Sequence, residues 1–258
     1  MVSKGSELTL FRHLLAPLGA ATLLFMLAYA AGLDFTLASA LYQMQGESWL
    51  LQHHWLTETL LHRHVRTLNE IVVLSLIACW LWRHFAQKDQ SKKQQALGIL
   101  LLSLLLSFAA VAVLKRLLPM ECPWDLQQFG GNSRFWGLFA TRPDSVPDNQ
   151  CFPAGHASIG FAWLALYYYW RELKPQKAWQ GLLIGAAAGV LLGFVQQLRG
   201  AHFISHDIAS AAICWLIATV LNFRFQQPKT STLSMDAVGS VAYQQPLISY
   251  HSLESSDV

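Results

Sequence analysis

Three short stretches of this 258-residue chain carry side chains suited to phosphate chemistry. Lys115-Arg116 stands just before Glu121-Cys122-Pro123-Trp124-Asp125. Phe152-Pro153-Ala154-Gly155-His156-Ala157-Ser158 comes next, and Arg199-Gly200-Ala201-His202-Phe203-Ile204-Ser205-His206-Asp207 closes the set. An imidazole serves as acid, base or nucleophile near neutral pH, which makes His156 and His202 the candidates for bond making and breaking. Pro153 followed by glycine marks a helix start, whose free N–H groups and positive dipole end suit an anion. Lys115 and Arg199 can neutralise further negative charge. Cations, a helix start and two histidines together describe a phosphate site.

The other candidates read more plainly. His53, His54, His62 and His64 are expected to be surface or hydrogen-bonded residues. His202 and His206 have the spacing of a helical metal pair, but the glutamate of a His-Glu-x2-His motif is missing, so neither metal nor cofactor is expected. Cys79 and Cys214 lie in apolar runs and read as small core residues. Cys122 and Cys151 share one polar loop, and a disulfide between them requires that loop to face an oxidising space.

The elements that must position these groups are membrane helices. The chain is 53% hydrophobic and 13% charged, against roughly a quarter charged in an average soluble domain. Six apolar runs approach the roughly 20 residues needed to cross a bilayer: 14–33, 71–85, 95–118, 153–170, 179–198 and 207–223. The first is too long for the apolar core of a signal peptide and reads as an uncleaved anchor. Between the first two, residues 34–69 mix leucines with polar residues and histidines, the pattern of an amphipathic helix on the interface. The expected fold is all-α, a six-helix transmembrane bundle in one domain over residues 1–225, with a polar, disordered tail at 226–258.

Alternation of the spans puts the three site stretches on one face of the membrane. Of the 18 lysines and arginines, a cytoplasmic N-terminus assigns the larger share, among them Arg83, Lys92, Arg171 and Arg224, to the inside. Both termini are then cytoplasmic and the site faces outward. The net charge of +3 is small and scattered, so nucleic acid is not an expected partner, whereas a membrane lipid is.

At these residues the chain resembles the type-2 phosphatidic acid phosphatase family, which shares its site with vanadium haloperoxidases. That family carries K-x6-R-P, then P-S-G-H, then S-R-x5-H-x3-D, on a six-helix membrane core. Lys115 fits the first lysine, with Cys122-Pro123 where Arg-Pro is expected. Pro153-Ala154-Gly155-His156 fits the second motif with alanine for serine. Gly-Ala-His202-Phe fits the third, with Gln196 in place of its arginine and His206 in place of its aspartate. The resemblance spans roughly residues 100–220.

It implies that His202 is the nucleophile, that His156 protonates the leaving oxygen, and that Lys115 and the amides at Ala154 and Gly155 hold phosphate oxygens. Arg199, about 60° around a helix from Gln196, is expected to cover the missing arginine. His206 or Asp207 is expected to fix the tautomer of His202. Arg116, Arg134 or Arg142 would stand in for the arginine lost at Cys122, and Ser158 for the lost hydroxyl. The implied activity is a lipid phosphatase or phosphotransferase, with no cofactor, at the periplasmic face of a bacterial inner membrane. Undecaprenyl diphosphate, lipid A, phosphatidylglycerol phosphate and phosphatidate are the substrates the family offers. A relative that binds or moves anionic lipids without turnover is the competing expectation, and a proton-relay transporter is weaker because no internal repeat is evident.

Overall fold

The computed structural model describes residues 9–138, 140, 141, 143 and 149–225. The expected tail at 226–258 and the stand-in Arg142 lie outside these residues.

Helices make up the described chain, in the order α1 (Phe11–Ala30), α2 (Leu33–Met44), α3 (Trp55–Phe85), α4 (Lys92–Leu117), α5 (Gly155–Phe161), α6 (Leu166–Leu173), α7 (Pro175–Leu198) and α8 (Ile204–Phe225). Five of them, α1, α3, α4, α7 and α8, are long and apolar enough to cross a membrane. The fourth expected run is helical too, but a 3-10 segment, Ala162–Ala165, divides it into the short helices α5 and α6. It begins at Gly155, with Ala154 as its cap in an extended conformation, rather than at Pro153. Large apolar side chains such as Leu23, Leu74 and Val190 remain exposed on the spans, as a hydrocarbon surround requires.

Residues 34–69 do not form the single interfacial helix expected of them. Gly32, at φ 75° in the left-handed region, turns α1 into α2. The chain then bends, and the stretch from Trp55 to His64 winds as a π-helix that continues without a break into the second span. His54 caps its start through Leu56 N–H. This span is therefore longer at its N-terminal end than the apolar run of 71–85.

Two cores hold the chain. One lies inside the bundle and joins Leu101 and Leu104 of α4 to Ala157, Phe161 and Tyr168 of the broken helix and Cys214 of α8. The other caps one end of the bundle, where Met120, Leu126, Phe129 and Phe152 of the long loop meet Phe203 and Ala38. Within the loop Cys122 and Cys151 form a disulfide, their Cα atoms 5.4 Å apart. At the opposite end Trp215 Nε1 donates to the His13 carbonyl at 2.7 Å and Arg171 donates to His13 Nε2 at 2.9 Å, which ties α1, α6 and α8 together.

Glycines let α7 approach the broken helix closely. A Cβ on Gly160 would overlap the Gly189 backbone, and one on Gly185 would overlap the backbone at Leu164. Gly181 meets Leu166 in the same way. The Gly-x3-Gly ladder at 181, 185 and 189 is the small-residue spacing that lets membrane helices touch along their backbones. It holds α5, which carries His156, against the helix that leads to Gln196 and Arg199.

Candidate active site

A cavity of about 620 Å³ opens between α3, α4 and α5. Its polar end gathers His62 and Arg66 of α3, Lys115 of α4, His156 of α5, Gln196 of α7 and His202. Its remaining wall is apolar and runs along the spans through Val73, Leu74, Ile77, Leu105 and Phe108.

Lys115 reaches the opening turn of α5, where a Cβ on Gly155 would stand 3.6 Å from its Nζ. His156, one residue on, donates from Nε2 to the Leu61 carbonyl at 2.9 Å. Its ring lies against His62, with centroids 4.6 Å apart. Ser158 also lines the cavity, and its hydroxyl donates to the Gly155 carbonyl at 2.7 Å.

His202 occupies the turn between α7 and α8, and its Nδ1 lies 3.4 Å from Nδ1 of His206. Although α8 begins only at Ile204, the two rings meet. Burial first, then the nearby Lys115 and His206, holds the His202 imidazole well below its ordinary pKa of 6.5. The ring is therefore neutral at physiological pH, with one nitrogen lone pair available.

Other expected residues sit differently. The Ala154 amide is already donated to the His206 carbonyl at 3.2 Å and its carbonyl accepts from Ser210. Ala154 thus locks α5 to α8 instead of offering a donor to the cavity. Asp207 does not reach His202: Gln197 Nε2 donates to its carboxylate at 2.5 Å, and Gly193 leaves the space that it fills. Arg199 is buried, but it donates from Nε to the Gln52 carbonyl at 2.9 Å and from Nη1 to Gln196 Oε1 at 3.1 Å. Arg116 and Arg134 are exposed and do not line the cavity.

Asp34 supports the site from behind. Its carboxylate accepts from Ser205 N–H at 2.9 Å and from the Ser205 hydroxyl at 2.6 Å, capping α8 from another helix. Burial pushes its pKa up against those two hydrogen bonds.

The family model of the PAP2 superfamily matches residues 96–230, which contain every motif residue of the site. The chain belongs to the PAP2 superfamily. No curated protein and no solved structure matches it. The helical membrane bundle agrees with PAP2 membership, and the protein is a membrane phosphatase-type protein with several apolar spans. Two PAP2 positions depart in a way the geometry explains: His206 meets His202 where the aspartate is expected, and Gln196 faces the cavity where the arginine is expected.

His62 and Arg66 escape sequence reasoning. Both precede the PAP2 match, and the π winding that carries His62 has no hydropathy signature, while Arg66 lies just beyond it. The one available signal is their i, i+4 spacing at the mouth of an apolar run.

Proposed function

We propose that this protein hydrolyses or transfers the phosphoryl group of a lipid phosphate or diphosphate through a phosphohistidine on His202. The observation that carries the reading is the composition of one cavity: Lys115, His156 and His202 at one end, and an apolar wall of Val73, Leu74, Ile77, Leu105 and Phe108 along the spans. A phosphate headgroup fits the first and an acyl or prenyl chain the second.

With its proton on Nδ1, which lies beside His206 Nδ1 and the Cys151 main chain, His202 has its Nε2 lone pair free to attack phosphorus. As the N–P bond forms, the P–O bond to the lipid breaks and the lipid oxygen takes a proton from His156. Because Nε2–H of His156 is held by the Leu61 carbonyl, the proton it gives is the second one, on Nδ1 of the imidazolium. Burial and then Arg199 and Arg66 lower the pKa of this ring, and the negative charge of a bound phosphate offsets them. Water, or a second lipid, then displaces His202 from phosphorus and gives a proton back to His156. Lys115 offsets the charge on the phosphate oxygens.

The outer loop disulfide and the distribution of lysine and arginine support a site on the periplasmic side of a bacterial inner membrane. The test is phosphate release and lipid transfer by purified protein against phosphatidate, phosphatidylglycerol phosphate, undecaprenyl diphosphate and lipid A. Release by the parent and its loss in His202→Ala is the expected result. Equal release by the two proteins would sink the mechanism, and no release from any lipid would favour a lipid binder without turnover.

A further inference from the structure

We infer that Gln196 is a phosphate-binding donor of this cavity and that Arg199 is the positioning residue that aims it, an inference that rests on the phosphate reading above. Gln196 is buried near the outer end of α7 and lines the cavity with Lys115, His156 and His202. Arg199 Nη1 donates to its Oε1 at 3.1 Å. A guanidinium has donors and no acceptor, so the amide oxygen must face Arg199 and the NH2 must face the other way. Arg199 is in turn fixed through Nε to the Gln52 carbonyl at 2.9 Å. The orientation of the amide is thus set from outside the cavity.

The amide nitrogen, Gln196 Nε2, is buried and has no hydrogen-bond acceptor among the described residues. A buried donor without an acceptor is unfavourable, and an oxyanion in the cavity provides the acceptor. Arg66 is paired with Glu70 at 2.9 Å, and Lys115 forms no ion pair among the described residues. The cavity therefore offers an anion one unpaired lysine and a neutral amide, and Arg199 contributes through the amide without touching the ligand.

Inorganic phosphate is the probe, titrated into the full chain in detergent micelles and followed by 31P line broadening. Gln196→Met keeps the volume and removes the donor, and it should weaken phosphate binding roughly 10- to 100-fold, the loss of a hydrogen bond to a charged group. Gln196→Glu retains a partner for Arg199, which secures the fold, and should bind at least as weakly. In an Arg199→Met background the Gln196→Met change should cost less than fivefold, because the amide is no longer aimed. Phosphate binding abolished by Lys115→Met but kept within twofold by Gln196→Met or Gln196→Glu would overturn the inference alone. Absence of saturable binding to the parent would overturn the phosphate reading and this inference with it.

Discussion

The His156 imidazole donates to the main-chain carbonyl of Leu61, 95 residues away in sequence, at 2.9 Å. That carbonyl lies in the π-helical start of α3, where the Val65 N–H bonds to the Leu60 and His62 carbonyls and passes Leu61 over. The winding thus leaves an acceptor that fixes a site histidine, a use of π geometry that recurs at functional sites. A motif residue is aimed by a segment that belongs to no motif.

His156→Gln should separate that anchoring from proton transfer. Its side-chain amide can still donate to Leu61, so thermal stability in detergent should stay close to the parent. Phosphate release should fall about 10²- to 10⁴-fold, the contribution of a general acid or base. His156→Ala should lose the same activity and, by leaving a buried carbonyl unmatched, about 1–3 kcal/mol of stability. Retention of more than a tenth of the parent rate in His156→Gln would remove His156 from the chemistry.

The pH profile should report the state of His202. Its folded pKa lies well below 6.5, from burial first and then from Lys115 and His206. A lowered pKa keeps the nucleophile unprotonated, so His202 should impose no acid limb on kcat/KM at or above pH 6.5. Linkage has the same sign: the unfolded chain takes up this proton first, so acidification below 6.5 also destabilises the fold. An acid limb at or above 6.5 assigned to His202 would contradict the buried, neutral ring.

Much of this arrangement is legible in the sequence, for reasons that differ between residues. Lys115, His156 and His202 each stand at one end of an apolar run, and alternation of the spans alone brings those ends to one face. Their convergence on one cavity needs only short helix ends to adjust. The motif spacing puts Arg199 on phosphate, but its guanidinium instead serves Gln52 and Gln196, partners fixed by tertiary packing. Ala154 is similar, since its amide is taken by His206 from a helix 52 positions later in the chain. His62 was hidden for a local reason: i→i+5 winding turns the face of residues 55–64 away from where a 3.6-residue period puts it.

Asp34 should act on stability through α8. Its raised pKa means that the folded protein holds the proton more tightly than the unfolded chain. The contribution is therefore most favourable below the ordinary carboxyl range and is lost as pH rises through the shifted value. Asp34→Asn keeps an acceptor for Ser205 and should flatten the pH dependence of thermal unfolding above the ordinary carboxyl range. Asp34→Ala removes both hydrogen bonds and should cost about 1–2 kcal/mol, as for a lost helix cap. Equal pH dependence in Asp34→Asn and parent would show that another group is responsible.

Reduction should loosen the loop that caps the site end before it touches the bundle. The Cys122–Cys151 bridge closes a loop with a sequence separation of 29, which by chain entropy is worth about 3–4 kcal/mol. Cys122→Ser with Cys151→Ser should lower the midpoint of thermal unfolding in detergent. A reductant should reproduce that shift in the parent and have no effect on the double variant. Because Cys151 neighbours the imidazoles of His202 and His206 through its main chain, phosphate release should fall as well. An unchanged midpoint would mean that the aromatic core around Phe129 and Phe203 holds the cap unaided.

The glycine ladder makes the most demanding structural claim, since it concerns backbone against backbone. At Gly155 an added methyl group would lie at ordinary distance from a flexible lysine. At Gly185 it would overlap the Leu164 backbone, and no side-chain rotation can relieve that. Gly185→Ala should therefore cost about 1–3 kcal/mol, the range for overpacking, and Gly185→Val should prevent the folded protein from accumulating. The same displacement would move α5 away from α7, so Gly185→Ala should reduce phosphate release more than Ala substitution at the exposed Val190 of the same helix. If both variants melt and turn over alike, close approach of these helices is not what positions His156 relative to Gln196.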